Sequence, residues 1–217
     1  MTEFSASLMC TRYENLSHEI ELLEEAGVDS FHIDLMDCQF VPNLGMGLQD
    51  MQCVKRLSSK PMKVHMMVRN PMAYLNILSE VHADVIYIHP EGDDHPAETL
   101  ERIAELGMTP AIALRPETTV DDILPLLPRV RSVIALMVTP GFAGKPFLPY
   151  AAEKIPRLAE LKDKYGFTII WDGSCTWDKI ERYAKEGVDG FVMGTNVLFG
   201  KQEPYADLVR KARSLTL

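Results

Sequence analysis

Apolar residues recur at every second position in short runs along the chain, and at helical spacing between those runs. In FHIDLMDCQF, residues 31–40, Phe31, Ile33 and Leu35 alternate with His32 and Asp34. That alternation places an imidazole and a carboxylate together on the face of a strand opposite its apolar residues. Similar runs predict strands over Phe4–Met9, Ser30–Leu35, Met62–Met67, Val85–His89, Thr109–Leu114, Ser132–Val138, Thr168–Asp172 and Gly190–Met193. Amphipathic stretches at 14–26, 47–58, 71–81, 96–106, 119–127, 149–165, 176–186 and 203–214 predict the intervening helices. Gly27, Gly107 and Gly187 stand where helix C-caps need a left-handed residue.

Eight strand-then-helix units without a linker or repeat imply a parallel sheet with right-handed crossovers. A closed (β/α)8 TIM barrel fits eight units better than a doubly wound open sheet, which often has a Gly-rich turn after its first strand. Here that strand leads into MCTRYENL, with no GxGxxG. The expectation is one barrel domain over residues 1–217. Barrels of this kind carry their chemistry at the C-terminal ends of the strands. Ser7, His32, Asp34, His65, His89, the loop 139–145, the segment 172–175 and the pair Gly194–Thr195 fall at those ends.

Composition narrows the partners. A content of 47% hydrophobic residues in 217 supports one large core, and the formal charge of −9 includes no Lys/Arg block. No nucleic acid and no membrane are expected as partners. A small anion is still compatible, because backbone amides bind phosphate locally whatever the net charge. MTEFSASLMC lacks a basic segment followed by an apolar one, so no export signal is expected. Cys10, Cys38, Cys53 and Cys175 form no CxxC pair, which suits free thiols in a reducing cytoplasm.

His32 and Asp34 point into the barrel, with His65 ending KVHMMV and Asp172 ending TIIWDGS. Two imidazoles and two carboxylates at one mouth suit a divalent transition metal such as zinc, iron, manganese or cobalt, and disfavour magnesium or calcium. Glycine-bearing turns follow the last three strands: TPGFAGKPF, DGSCT and MGTNVLF. Gly141, Gly144, Gly173, Ser174, Gly194 and Thr195 could offer amides and hydroxyls to a phosphate there.

The segments SASLMC, HIDLMDCQFVPN, KVHMMVRNP, IHPE, PGFAGKPF, WDGSC and MGTNVLF resemble, in order and spacing, the ribulose-phosphate 3-epimerase family, from Ser5 to about Phe199. SLMC, PGFAG followed by PF, and DGSC where pentulose epimerases typically read DGG are closer to its D-allulose-6-phosphate 3-epimerase branch. The resemblance implies a (β/α)8 barrel of the ribulose-phosphate-binding type and inversion of C3 of a phosphorylated ketose through a metal-stabilised enediolate. It implies one divalent metal, zinc ahead of the others, held by His32, Asp34, His65 and Asp172, with Asp34 and Asp172 also the acid/base pair. It places Ser7 and His65 on the substrate, with Gly141, Phe142, Ala143, Gly144, Gly173, Ser174, Cys175, Gly194 and Thr195 at the phosphate. Met36, Met67 and Leu136 would line the pocket, and a cytoplasmic homo-oligomer is expected.

The expected substrate is D-allulose 6-phosphate, converted to D-fructose 6-phosphate, with D-ribulose 5-phosphate as the alternative. Several positions depart from the family pattern: Leu136 where a methionine is usual, Thr139, Cys38–Gln39 for Gly-His, Ala6 for proline, and Trp171 for a smaller aliphatic. A lyase or decarboxylase on a similar barrel is the rival class. A Schiff-base version needs an inward lysine at a strand end, and Lys63 lies two residues deeper than His65. Asp37 is expected to cap its turn, Cys38 and Cys175 to pack rather than attack, and His89 to act behind the site.

Overall fold

The computed structural model describes residues 1–217. Eight parallel strands close in sequence order, with β8 pairing β1: β1 (Glu3–Ser7), β2 (Ser30–Met36), β3 (Met62–Met67), β4 (Val85–Ile88), β5 (Thr109–Leu114), β6 (Ser132–Leu136), β7 (Thr168–Asp172) and β8 (Gly190–Met193). This is the (β/α)8 barrel that the alternation predicts. Around it run α1 (Leu16–Glu25), α2 (Leu48–Leu57), α3 (Leu75–Glu80), α4 (Pro96–Glu105), α5 (Val120–Ile123), α6 (Pro149–Ala152), α7 (Ile155–Tyr165), α8 (Trp177–Lys185) and α9 (Tyr205–Ser214). Gly27, Gly107 and Gly187 do adopt left-handed φ values of 81°, 81° and 101° after their helices. No helix is long and apolar enough to cross a membrane.

Several predicted elements are shorter or broken, and three of them show the local reason. The first strand ends at Ser7, because Leu8–Cys10 turns into a 3-10 helix whose Leu8 carbonyl accepts from Thr11 Oγ1 at 2.7 Å. The helix expected over 149–165 divides into α6 and α7. Pro156 has no N–H to return to the preceding turn, and its ring excludes the carbonyl four residues back. Pro125 and Pro128 likewise hold α5 to one turn before a 3-10 helix at Leu127–Arg129.

Each strand buries its outer face against the helices. Phe31, Ile33 and Leu35 of β2 pack there with Val64 and Met66 of β3. The interior is divided. Tyr87, Ala111, Ala113, Ile134, Leu136, Ile170 and Val192 form an apolar fill contributed by β4 to β8. The polar interior comes mainly from β1 to β3. At the N-terminal end of the barrel, Lys63 Nζ lies 2.5 Å from Glu3 Oε1, which also accepts from Ser30 Oγ at 2.7 Å. Polar groups removed from water are costly unless paired, and these satisfy one another. That pairing holds Lys63 at the floor and off the cavity wall, where a Schiff-base lysine would be needed.

Candidate active site

Strand register builds the site. Asp34 is the register partner of His65 on β3, and His32 sits two residues deeper on the same face of β2. Asp172 ends β7, beside Leu136. In the closed ring β7 lies three steps from β2 by way of β1 and β8, so Asp172 reaches in from nearly the opposite wall. One ligand-capable atom from each of His32, Asp34, His65 and Asp172 falls within 4.8 Å of the others.

The distances define an electrostatic unit. His32 Nε2 is 3.2 Å from Asp34 Oδ1 and 3.6 Å from Asp172 Oδ2. His65 Nδ1 lies 3.3 and 3.5 Å from the same two oxygens. Ser7 Oγ donates to Asp34 Oδ2 at 3.0 Å. Burial alone would raise the Asp34 pKa, but His32 and His65 hold it well below the usual carboxylate range. Burial pushes Asp172 up, and the Asp34 carboxylate adds to that, against the lowering by His32 and His65. Burial would lower His32, yet the two carboxylates beside it leave it raised. Two carboxylates sharing a site separate in this way, one held ionised and the other inclined to keep its proton.

Behind His65 runs a chain of three groups. His65 Nε2 is 2.9 Å from His89 Nε2, and His89 Nδ1 is 3.3 Å from Glu91 Oε2. Glu91 in turn accepts the Arg115 N–H at 3.0 Å and the Thr118 hydroxyl. These donors and the neighbouring His89 outweigh burial and hold Glu91 at a pKa of about 2, while burial lowers His89 to about 4. An ionised carboxylate only accepts, so His89 must donate from Nδ1 and accept at Nε2. His65 then carries its proton on Nε2 and turns a bare lone pair at Nδ1 toward the two carboxylates. Nδ1 is buried and has no hydrogen-bond partner. A lone pair facing carboxylate oxygens is repulsive unless a cation lies between them. The donor set therefore fits a divalent metal with mixed nitrogen and oxygen ligands. The deep position of His89 agrees with its expected place behind the site. Glu91 was legible only as the HPE spacing and was not singled out.

Above the cluster opens a cavity of roughly 640 Å³ counted to its mouth. Its walls include Ser7, Asp34, His65, Met67, Leu136, Asp172, the turn Gly141–Phe142–Ala143–Gly144, the turn Gly173–Ser174–Cys175, and Gly194 with Thr195. All of these were expected from the sequence. Met9 and Cys10 of SLMC, Pro140 and Lys145 of the loop 139–145, Val138, Val192 and Asn196 also line it, and none of these was individually assigned to the site. Met36 instead packs beside the cavity against Val41 and Met67, and His32 lies beneath the wall. Gly173 has φ 90°, and a Cβ there would stand 2.6 Å from Val138 Cγ2, so the turn accepts no side chain. Burial pushes the Cys10 thiol up to about 11 and raises Cys175 further. Both are neutral thiols and poor nucleophiles; for Cys175 this agrees with the expected packing, whereas Cys38 is exposed, at a left-handed φ of 60° in the turn after β2, and does not pack as expected. Asp37 caps its turn, accepting the Gln39 and Phe40 N–H groups at 2.8 and 3.1 Å, and also takes the Arg69 N–H at 2.8 Å.

Comparison with known proteins bears on this geometry. The family model described as "Ribulose-phosphate 3 epimerase family" matches residues 3–198. A ribulose-phosphate 3-epimerase of Methanocaldococcus jannaschii is 36% identical over 205 residues, covering 94% of this chain and 86% of that protein. A protein of the same name from Helicobacter pylori is 34% identical over 202 residues, covering 92% of each. Among solved structures, 3-keto-L-gulonate-6-phosphate decarboxylase from Vibrio cholerae superposes with a TM-score of 0.66 at 14% identity, covering 99% of this chain and 98% of that one. At that identity the likeness is one of fold alone.

Proposed function

Because the chain belongs to the ribulose-phosphate 3-epimerase family, we propose that it interconverts D-allulose 6-phosphate and D-fructose 6-phosphate at the cavity above His32, Asp34, His65 and Asp172. Membership makes it an isomerase, a ketose-phosphate 3-epimerase. The hexulose assignment is ours. It is supported by Cys10, Ala143, Ser174 and Cys175, which belong to the allulose-like motifs and all line one cavity. The volume does not discriminate, since a pentulose and a hexulose phosphate differ by one carbinol unit. The names of the relatives favour the second reading, D-ribulose 5-phosphate.

The observation that carries the mechanism is the convergence of two carboxylates from distant strands within one 4.8 Å cluster. Inverting C3 of a 2-ketose requires proton removal from one face and return to the other, and one carboxylate per face suffices. In the proposed reaction Asp34 takes or gives the proton on one face of C3, and Asp172 on the other. In one direction one carboxylate takes the proton while the other gives one back, and in the reverse direction the roles exchange. His32, Asp34, His65 and Asp172 would hold a divalent metal, zinc by preference. Bound there, it would supply Lewis-acid stabilisation of the negative charge that develops on the substrate during deprotonation. Ser7 orients Asp34 through its 3.0 Å hydrogen bond and faces substrate. The turns at Gly141–Gly144, Gly173–Cys175 and Gly194–Thr195 hold the phosphate, anchoring the remote end so that C3 sits between the carboxylates. A cytoplasmic location belongs to the same proposal, supported by four free cysteines, and a homo-oligomeric state by the resemblance alone.

The test is incubation of the metal-loaded protein in deuterated water with each ketose phosphate separately. The expected result is solvent label at C3 with the carbon chain intact, and a higher kcat/KM on allulose 6-phosphate. Preference for ribulose 5-phosphate moves the substrate to the second reading. Fragmentation of the chain, or no label at all, overturns epimerisation.

A further inference from the structure

Trp171, a departure from the family pattern, and Ser174, which stands where pentulose epimerases read the second glycine of DGG, meet in one structure behind the turn that follows β7. Gly173 and Ser174 are successive left-handed residues, with φ 90° and 47°. Ser174 is the unusual member, since a side chain in that region costs on the order of 1 kcal/mol relative to glycine. Trp171 Nε1 donates to the Gly173 carbonyl at 2.9 Å. Lys179 of α8 donates from Nζ to the next carbonyl, that of Ser174, at 2.9 Å, and reaches Ser174 Oγ at 3.4 Å. The same ammonium lies 4.4 Å over the ring of Phe147, which stacks on Trp171 at 5.8 Å. Trp171 is fully buried, and neither it, Phe147 nor Lys179 lines the cavity.

The planar trans peptide turns this bracing into a statement about the cavity. In each peptide unit the carbonyl and the following N–H point in opposite directions. Pinning the Gly173 carbonyl aims the Ser174 N–H the other way, and pinning the Ser174 carbonyl does the same for the Cys175 N–H. Neither N–H donates a hydrogen bond within the chain, and Ser174 and Cys175 both line the cavity. Successive free N–H groups in a turn form an anion-binding concavity. The cavity has little other positive charge for a phosphoryl group: Lys145 is the one lysine or arginine on its wall, against Asp34 and Asp172.

We propose that Lys179 and Trp171 are positioning residues that hold the Ser174 and Cys175 amides as a two-donor cradle for the phosphoryl group. Lys179 takes the part that glycine takes in a DGG turn, fixing by a charge-assisted hydrogen bond a conformation that Ser174 would otherwise leave. This rests on the phosphorylated-ketose reading above.

The test uses the whole protein and two readouts: titration with inorganic phosphate by calorimetry, and KM and kcat on the ketose phosphate. Lys179→Met is expected to weaken inorganic phosphate and to raise KM, each by about tenfold, the loss of one charge-assisted bond. The change falls in KM rather than kcat, because the reacting centre is untouched. Trp171→Phe keeps the ring stack and loses only the N–H; it is expected to weaken phosphate several-fold, and it carries the test if Lys179→Met fails to fold. Ser174→Gly placed in Lys179→Met is expected to recover part of the phosphate affinity, a rescue that a merely structural lysine would not show. Unchanged phosphate affinity in both single variants, or a wild-type protein that binds no phosphate, overturns the proposal. A wild-type protein that binds phosphate but epimerises no ketose phosphate overturns the functional reading and leaves the cradle standing.

Discussion

If Asp34 and Asp172 serve opposite faces of C3, each Asn variant should abolish inversion while sparing proton exchange on one epimer only. Asp34→Asn keeps the group that addresses one face, and Asp172→Asn keeps the other. The structure sets the scale. Asp34 Oδ2 accepts from Ser7 Oγ at 3.0 Å, and an amide oxygen can still accept that bond. The loss to folding is then that of one buried charge-assisted contact, about 1–3 kcal/mol, within a total stability of about 5–15 kcal/mol. Both variants should fold. Removing a positioned general acid or base lowers the rate by about 10²–10⁴-fold, equivalent to about 2.7–5.4 kcal/mol of barrier.

The assay is deuterium wash-in at C3, followed by NMR, starting separately from each epimer with metal-saturated variants. Inversion should fall by at least two decades in both. Asp34→Asn should label one epimer without converting it, and Asp172→Asn should label the other. The geometric basis is the placement of β2 and β7 three strands apart in a ring of eight, with His32 and His65 contacting both carboxylates. If the two variants label the same epimer, the carboxylates address one face and the two-face mechanism is wrong. A Asp172→Asn protein that inverts at the wild-type rate refutes it more simply.

Metal loading should stabilise the protein: at a hundredfold excess over Kd the gain is about 2.7 kcal/mol, or roughly 5–11 °C in Tm for a chain of this size. His65→Ala should lose most of that shift, and an equal shift in wild type and variant would place the metal elsewhere. In chelator-treated protein, thermal melts across pH should show opposite signs at the two carboxylates. The depressed Asp34 contributes stability above its unfolded pKa of about 3.9, which is lost as pH falls toward its folded value. The raised Asp172 and His32 contribute stability in acid, which is lost as pH rises through their folded values. Asp172→Asn should flatten that decline with rising pH, and an unchanged slope would contradict the assignment. Gly173→Ala combines φ 90° with a Cβ 2.6 Å from Val138 Cγ2, so it should cost about 1–3 kcal/mol in urea denaturation and weaken phosphate. Val138→Ala in that background should return only the steric part.

The alternation of apolar positions was enough to determine eight strand-and-helix units, because each depends on contacts within a few residues. From there the closed barrel, and the inward direction of His32, Asp34, His65 and Asp172, followed from parity along each strand. The three glycine-bearing turns were legible for the same local reason. Trp171 was visible too, as a departure from the family pattern, and Ser174 as a phosphate-site residue of an allulose-like motif, with nothing to connect the two. What they share is Lys179 and Phe147, which chain distance separates and the packing of α8 on the β7 turn unites. The His65–His89–Glu91 chain spans β3 and the end of β4 and had no signature beyond an HPE spacing. Only closure of the barrel decided that Lys63 would be spent on Glu3 at the floor, and that Asp172 would meet Asp34 from across the ring. Periodicity tells a side chain which face to take; which distant side chains share that face's few ångströms depends on strand order, stagger and closure, which no local pattern encodes.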